Sequence, residues 1–195
     1  DATRWWTELG WWAIDTCNSN SWTTAKEQIL TRSKADVICT QETRLIGKEM
    51  ANDERRKARH TGWSAAFNSA KKPELDKASG GCAICARKGI GIDTDSTRKI
   101  KDEVRHRIAH AWVNAVIKGG IHILSVYAKD EIGPCGENLV VLEELLAATR
   151  TLNGPWVIAA DWNMNPEELA STGWLGMIGG RVIATSIATC NESTY

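Results

Sequence analysis

The sequence carries no net charge, no long apolar run and no internal repeat, and each of these absences excludes a class of protein. Lys and Arg number 24, as do Asp and Glu, so overall charge predicts no polyanionic partner and any nucleic-acid contact requires local patches. No apolar run approaches the length of a membrane span. The N-terminus, DATRWWTELGWW, lacks both an initiator Met and the basic-then-apolar order of a signal peptide. We therefore expect a processed chain, or one cut from something longer, without a membrane-spanning helix.

The composition is that of a globular protein with an unusual number of tryptophans. With 195 residues, 43% of them hydrophobic, the chain is long enough for one domain spanning residues 1–195 with a substantial core. Its ten Trp exceed what a surface would carry, so most are expected in the core or in a partner interface. The Trp-rich N-terminus is the predicted contact with other protein chains.

The six cysteines do not form a convincing metal or disulfide framework. Four lie in apolar stretches, which predicts buried, reduced thiols in an intracellular protein. The segment CAIC, from Cys82 to Cys85, has the spacing of half a zinc site, but a second pair is missing. In a strand, residues three apart point to opposite faces, so we expect these thiols to be structural.

Alternating strand and helix patterns predict an α/β (α+β) fold with a mixed sheet layered by helices, because a hairpin interrupts the alternation. The predicted strands are WWAID, ADVICT, GWSAAFN, GGCAICAR, two runs joined by a two-residue turn at Gly119–Gly120, and WVIAA from Trp156. The predicted helices are SWTTAKEQILTR with a Thr24–Glu27 capping box, 48–59, 137–152, and a short helix capped by Asn165 and closed by Gly173.

Four predicted strands release polar residues at their carboxyl ends: Asn18 and Asn20, Gln41 and Glu42, Tyr127 and Asp130, and Asp161 and Asn163. Strand ends on one edge of a sandwich converge on a common cleft. Carboxylates and amides without convergent Cys or His suit a hard cation, Mg²⁺ or Mn²⁺. The alternative for each residue is a helix cap or a turn, and for Asn18 and Asn20 capping of the following helix competes seriously.

The order of five segments resembles the endonuclease/exonuclease/phosphatase superfamily, the DNase I-like group, and most of all its retroelement branch. These segments are TCNSNSW, ADVICTQETRL, SGGCAICARKGI, ILSVYAKD and WVIAADWNMNPEEL. The resemblance implies a four-layered αββα sandwich. It also implies that Glu42 binds the metal, that Asn18 lies by the metal and the phosphate, and that Asp161 orients or activates the nucleophilic water. Asn163 then contacts the scissile phosphate and Tyr127 hydrogen-bonds it.

The sequence departs from the family pattern in two places. ADWN replaces the family's GDFN, with Ala160 for Gly and Trp162 for Phe, an aromatic exchange that should be tolerated. The family's later strands and its SDH motif, whose His contacts the phosphate and the catalytic water, have no counterpart up to Tyr195. We therefore expect an incomplete domain, its C-terminal strands missing or supplied elsewhere through an open edge, and impaired activity. The four His are expected on the surface or in the core.

These residues predict a metal-dependent phosphodiester hydrolase, an Mg²⁺-dependent endonuclease acting on nucleic acid, DNA rather than RNA. Basic stretches at 55–60 and 98–107 would contact a phosphate backbone or form solvated faces. Trp22 and Trp63 would stack on bases or pack in the core. A second hypothesis is a catalytically inactive remnant that serves as a structural or binding subunit of a larger assembly. A third, a phosphatase acting on a lipid or inositol phosphate, uses the same metal site.

Overall fold

A computed structural model of the chain describes residues 4–72, 78–94, 99–114 and 119–183. The strands are β1 Ile14–Asn18, β2 Val37–Gln41, β3 Trp63–Asn68, β4 Cys82–Arg87, β5 Ile92–Asp93, β6 Ile108–Val113, β7 Ile121–Tyr127 and β8 Trp156–Asp161. The α-helices are α1 Trp5–Glu8, α2 Trp22–Thr24, α3 Lys48–His60, α4 Gly136–Thr149, α5 Pro166–Ser171 and α6 Trp174–Ile178. A π-helical segment, Ala25–Leu30, continues α2, and a 3₁₀ turn, Arg105–Arg107, precedes β6.

The strands form two four-stranded sheets, and each mixes parallel and antiparallel pairs. The first has the order β1-β2-β4-β3, with β1 and β2 parallel and the other pairs antiparallel. The second has the order β5-β6-β7-β8, with β7 and β8 parallel and the other pairs antiparallel. The prediction of a mixed sheet is confirmed, and the structure contains two such sheets.

Alternation of side chains along the strands builds three hydrophobic cores. One face of each sheet meets the other sheet, where Val37 and Ile84 pack with Ile123. The outer face of the first sheet packs against α2 and α3 through residues that include Trp22 and Ala58. The outer face of the second sheet packs against α4, α5 and α6, through Leu124, Val126, Leu142, Leu169 and Trp174 among others. The resulting order, helices–sheet–sheet–helices, is the four-layered αββα sandwich that the sequence predicted.

The predicted Thr24–Glu27 capping box is wrong, because the helix begins three residues earlier. Ser21 has extended backbone angles and its hydroxyl accepts a hydrogen bond from the Thr24 N–H at 3.2 Å. Thr24 is already helical, at φ −60° and ψ −46°, and makes no side-chain cap bond. An N-cap residue needs non-helical backbone angles, so Thr24 cannot take that role.

The predicted hairpin is present, but its two-residue turn is wrong. Strands β6 and β7 pair in antiparallel fashion with Val113 opposite Ile121, so residues 114–120 connect them; residues 115–118 lie outside the described ranges. Gly120 has a different reason to be glycine. Its φ is +72°, and a Cβ there would come within 2.6 Å of the Trp112 ring. Close packing against an indole, rather than a tight turn, explains this residue.

The SGG segment fixes the backbone that follows β2. The N–H groups of Thr43 and Arg44 donate to the carbonyls of Gly81 and Gly80 at 2.9 and 3.0 Å. A Cβ on Gly81 would lie 2.5 Å from the Thr43 hydroxyl, and one on Gly80 would lie 2.7 Å from the His106 carbonyl oxygen. Because they lack a Cβ, Gly80 and Gly81 can pack closely against His106 and Thr43. Their carbonyl groups then hold in place the segment after β2, which carries Glu42.

The cysteines and histidines within the described ranges behave as core residues in most cases. Cys82 faces the inter-sheet core and Cys85 the helix layer, as expected for residues three apart in a strand. Cys17, Cys39, Cys82, Cys85 and Cys135 are free thiols, while Cys190 lies outside the described residues. His60 is exposed and the other three, His106, His110 and His122, are buried. None of the helices in the described part of the chain has the length and apolar character needed to cross a membrane.

Candidate active site

The carboxyl ends of four strands meet at one edge of the sandwich. Because β1 and β2 are parallel, as are β7 and β8, each sheet delivers two neighbouring strand ends to that edge. The two sheets are joined there by a hydrogen bond from the Asn18 amide to the Asp161 carboxylate, at 2.8 Å. These residues are 143 positions apart in sequence, and the structure brings them together as the strand-end pattern predicted.

Asp161 is the carboxylate at the centre of this edge, and its environment is poor in solvent and rich in negative charge. Burial raises its pKa above the ordinary value for Asp, while hydrogen bonds from Asn18 and from the Asn163 backbone N–H oppose that shift. The charges of Glu42 and Asp130 raise the pKa of Asp161 further. A carboxyl placed in this way accepts protons more readily than a surface Asp, which suits a group that orients or activates water.

Glu42 lies one residue beyond β2, in a segment with unusual backbone angles. Both Glu42 and Arg44 have φ +56°, a left-handed conformation that is uncommon for residues other than glycine. The Arg44 guanidinium donates to the Glu42 carboxylate at 2.7 Å and also to the side-chain oxygen of Asn20. Asn20 has φ +56° as well. Three residues with this conformation, Asn20, Glu42 and Arg44, are thus linked through the Arg44 guanidinium, and the Glu42 charge acts on Asp161.

Tyr127, the last residue of β7, lies beside Asp161 in the parallel register. Burial raises its pKa to about 12, and the charges of Glu42, Asp130 and Asp161 contribute to the shift. The hydroxyl therefore stays protonated at neutral pH and is available as a hydrogen-bond donor. The guanidinium of Arg107 lies over the Tyr127 ring, 5.0 Å from its centroid, and fixes the ring from behind.

Asn163 and Asn165 lie in different surroundings, and only the predicted role of Asn165 is confirmed. Asn163 has φ +46°, and its amide donates to the Ala128 carbonyl at 2.8 Å, which ties the end of β8 to the loop after Tyr127. Asn165 caps α5 in a complete capping box with Glu168. Asn163 thus lies at the site edge, and its contact with a phosphate stays a prediction.

The capping alternative for Asn18 and Asn20 is not what the structure shows, since Ser21 caps α2. The Asn18 side-chain oxygen accepts instead from the Asn20 N–H at 2.9 Å. Gln41, grouped by sequence with the cleft residues, turns inward and is fully buried. Its amide donates to Ser125 at 3.0 Å and to the Ala159 carbonyl at 3.4 Å, so it links the two sheets beneath the cleft.

Sequence reasoning missed the charged network behind Tyr127. Arg107, only 3% exposed, makes two hydrogen bonds to the Glu137 carboxylate, at 3.3 and 3.2 Å. His106 contacts the same carboxylate at 2.9 Å, and burial, followed by the charge of Arg107, lowers the pKa of this imidazole. The signal available in sequence was weak: Arg107 stands directly before an apolar strand, in a basic stretch that fits a solvated face equally well.

The donors at this edge fit a hard divalent cation held by few protein ligands. Within the described ranges, no group of three or more His, Cys, Asp and Glu is arranged to hold a metal. The available donors are two carboxylates, Glu42 and Asp161, with the amide of Asn18. Burial raises the pKa values of Asp161 and Tyr127, and the charges of Glu42 and Asp130 raise both further. Mg²⁺ is commonly bound by one or two carboxylates plus water and substrate phosphates, so this set is sufficient.

Solved structures with the same fold include two proteins named as phosphatases and one catalytic domain. A 3' phosphatase from Neisseria, NExo, bound to a product DNA hairpin, is 18% identical, with a TM-score of 0.59 over 85% of this chain and 69% of that one. ANGEL2, a 2',3'-cyclic phosphatase, is 15% identical, with a TM-score of 0.55 over 80% and 54%. The catalytic domain of Xenopus laevis APE2 is 14% identical, with a TM-score of 0.52 over 84% and 66%. At these identities the likeness establishes the fold.

Comparison with curated protein sequences gives no match. The closeness to retroelement endonucleases that the motifs suggested stays a prediction. A profile of the Endonuclease/Exonuclease/phosphatase family, in contrast, matches residues 16–181. That span contains all five predicted site residues and, apart from the first two residues of β1, both sheets. The chain belongs to the Endonuclease/Exonuclease/phosphatase family.

Proposed function

We propose that the chain is a divalent-metal-dependent phosphodiester hydrolase that acts on nucleic acid, with Mg²⁺ or Mn²⁺ held by Glu42, flanked by Asn18, and with Asp161 orienting the attacking water. The single observation that carries the proposal is the Asn18–Asp161 hydrogen bond of 2.8 Å, which joins the two sheets at the strand-end edge. Family membership gives the reaction class, hydrolysis of a phosphoester. The DNA hairpin product held by NExo makes DNA the first substrate to test.

Each residue of the edge has a task in this reaction. The Asp161 carboxylate, oriented by Asn18, accepts a hydrogen bond from the attacking water and aligns it with the phosphorus. The protonated hydroxyl of Tyr127 donates to a non-bridging phosphate oxygen, where negative charge develops. Asn163 offers its side-chain amide beside the same oxygen. A bound divalent cation, when present, neutralises charge on the phosphate.

Cleavage of two DNA substrates tests the proposal and locates the bond that is cut. Supercoiled plasmid reports on internal cleavage, and an oligonucleotide with a 3'-phosphate reports on terminal phosphate release. We expect activity with Mg²⁺, none with a chelator, and a loss on the order of a hundredfold or more in Asp161→Asn. Asp102→Asn, an exposed carboxylate in the turn before β6, is the matched control and should keep wild-type activity.

Cleavage that survives in Asp161→Asn contradicts the assignment of this site. An absence of cleavage of either substrate with Mg²⁺ and with Mn²⁺ favours the second hypothesis, an inactive member of the family that serves as a binding or structural subunit. Release of the terminal phosphate without nicking identifies a phosphatase that uses the same residues.

A further inference from the structure

The carboxylate of Glu42 is paired with a cation of the protein itself, the guanidinium of Arg44. The Arg44 guanidinium donates to the Glu42 carboxylate at 2.7 Å and to the Asn20 side-chain oxygen through the same nitrogen. The Glu42 side chain is 16% exposed and that of Arg44 is 32% exposed, so the pair lies at the rim of the cleft rather than in the core. The carboxylate proposed as a metal ligand is therefore already neutralised by an arginine.

The fold holds this arginine incompletely. Within the described part of the chain, the buried Nε of Arg44 has no hydrogen-bond partner. Its bond to Glu42 uses a single nitrogen, whereas a guanidinium paired at full strength engages a carboxylate through two parallel bonds. A pair with one bond and partial exposure gains little net free energy from its attraction. The pair can therefore be broken by another cation without loss of the surrounding fold.

We propose that Arg44 and the divalent cation compete for the Glu42 carboxylate, so that Arg44 sets the affinity of the site for metal. This inference rests on the proposed function, because it takes Glu42 as a metal ligand. A guanidinium charge and a divalent cation on one carboxylate lie about 5 Å apart and repel each other. Metal binding therefore requires the guanidinium to leave Glu42, and the cost of that displacement weakens the affinity for the cation.

The backbone restricts where the arginine can go. The N–H groups of Thr43 and Arg44 are bound to Gly81 and Gly80, so the main chain of this segment is fixed and only the side chain can turn. Asn20, the other acceptor of the guanidinium, lies on the outer side of the pair, where its side chain is exposed. A guanidinium that leaves Glu42 therefore stays at the cleft rim, tethered to Asn20.

The affinity for Mn²⁺, measured by calorimetry, tests the competition directly. Removing the charge in Arg44→Gln is expected to tighten Mn²⁺ binding by about tenfold, from the repulsion of the two charges after screening. Arg44→Lys keeps a cation beside Glu42 and should stay within about twofold of the wild-type affinity. The matched control is Arg56→Gln, which removes the same charge from an exposed pair with Asp53 on α3 and should leave the affinity unchanged.

Two outcomes overturn the competition. In one, Arg44→Gln binds Mn²⁺ no more tightly than the wild type; in the other it binds more weakly, and the arginine then positions Glu42 for the metal. The glutamate itself is tested separately with Glu42→Gln in the wild-type background. If Mn²⁺ binding is unaffected by Glu42→Gln, the metal site of the proposed function is wrong, whatever Arg44 does.

A measurement on the unmodified chain keeps the inference testable if Arg44→Gln does not fold. The Nε–H of Arg44 is buried, and we expect it to exchange slowly enough with solvent to give an observable nitrogen–proton cross-peak in NMR. We expect this peak to shift progressively as Mg²⁺ is added, while the peak of Arg87, whose Nε–H donates to the Ala35 carbonyl at 2.7 Å, does not move. An Arg44 peak that stays in place throughout a titration that saturates the site overturns the competition.

Discussion

Two arginine–glutamate pairs lie near the site, and the fold holds them very differently. Arg107–Glu137 lies behind Tyr127, and Arg44–Glu42 includes the proposed metal ligand. Arg107 and Glu137 make two hydrogen bonds, their arginine is 3% exposed, and His106 contacts the same carboxylate. Arg44 and Glu42 make one bond at the cleft rim, on residues with left-handed backbone angles. The same type of ion pair therefore has two roles. With two hydrogen bonds and a buried arginine it fixes a side chain in place, whereas with one bond at the rim its arginine can be displaced from the carboxylate.

The largest expected effect comes from breaking the buried pair. Glu137→Gln leaves the buried Arg107 guanidinium without its carboxylate. Because the Glu137 side chain is itself 29% exposed, we expect the free energy of unfolding to fall by an amount at the low end for a buried pair, about 3 kcal/mol. Urea denaturation followed by tryptophan fluorescence measures this change. Glu42→Gln, the equivalent substitution in the rim pair, should cost less than about 1 kcal/mol. Equal losses in the two variants would remove the distinction between the pairs.

The next effect separates the role of Tyr127 from that of the pair behind it. Tyr127→Phe keeps the ring under the Arg107 guanidinium and removes only the hydroxyl. We expect the turnover number to fall on the order of a hundredfold, as for the loss of one donor to a developing negative charge. The urea midpoint should be nearly unchanged. A variant that cleaves DNA at the wild-type rate would show that the hydroxyl takes no part in the reaction.

A smaller effect is expected when the rim pair loses its arginine. Arg44→Gln should change the free energy of unfolding by less than about 1 kcal/mol, because partly exposed pairs contribute little to stability. The same variant is expected to bind Mn²⁺ more tightly, so stability and metal affinity should separate. A loss of stability as large as that of Glu137→Gln would mean that this pair, too, is a fixed part of the fold.

The smallest effect is a pH dependence from the buried histidines. Burial lowers the pKa values of His106 and His122 below that of a free imidazole, so the unfolded chain binds their protons more readily. Stability that is fully present above the unfolded pKa is therefore lost as the pH falls through and below about 6.5. Urea midpoints at about pH 7 and about pH 5 measure the loss, which should shrink in His122→Asn and not in His60→Asn. A midpoint independent of pH would contradict it.

Local patterns were sufficient to predict most of the fold and the place of the site. The strand-end rule located Asn18, Glu42, Tyr127 and Asp161, because the polar residue that ends an apolar run is visible in the chain itself. The α5 capping box was predictable for the same reason, since Asn165 and Glu168 are three residues apart.

Contacts between distant segments were not predictable. Gln41 was expected in the cleft, but it is still part of β2 and, like Val37 and Cys39 before it, points between the sheets. The hairpin turn was misplaced because Gly120 serves the packing of Trp112. Arg107 was overlooked because its partner, Glu137, lies 30 residues away.

Gln41 has a mechanical consequence for the neighbouring site. Its amide donates to Thr16 in its own sheet, and to Ser125 and the Ala159 carbonyl in the other sheet. One side chain therefore fixes the spacing between the two sheets. Glu42 is the next residue along the chain, and Asp161 follows Ala159 by two positions. The hydrogen bonds of Gln41, which hold the two sheets in register, therefore also set the distance between the Glu42 and Asp161 carboxylates. On heating, loss of metal affinity should coincide with the collapse of the whole sandwich rather than precede it.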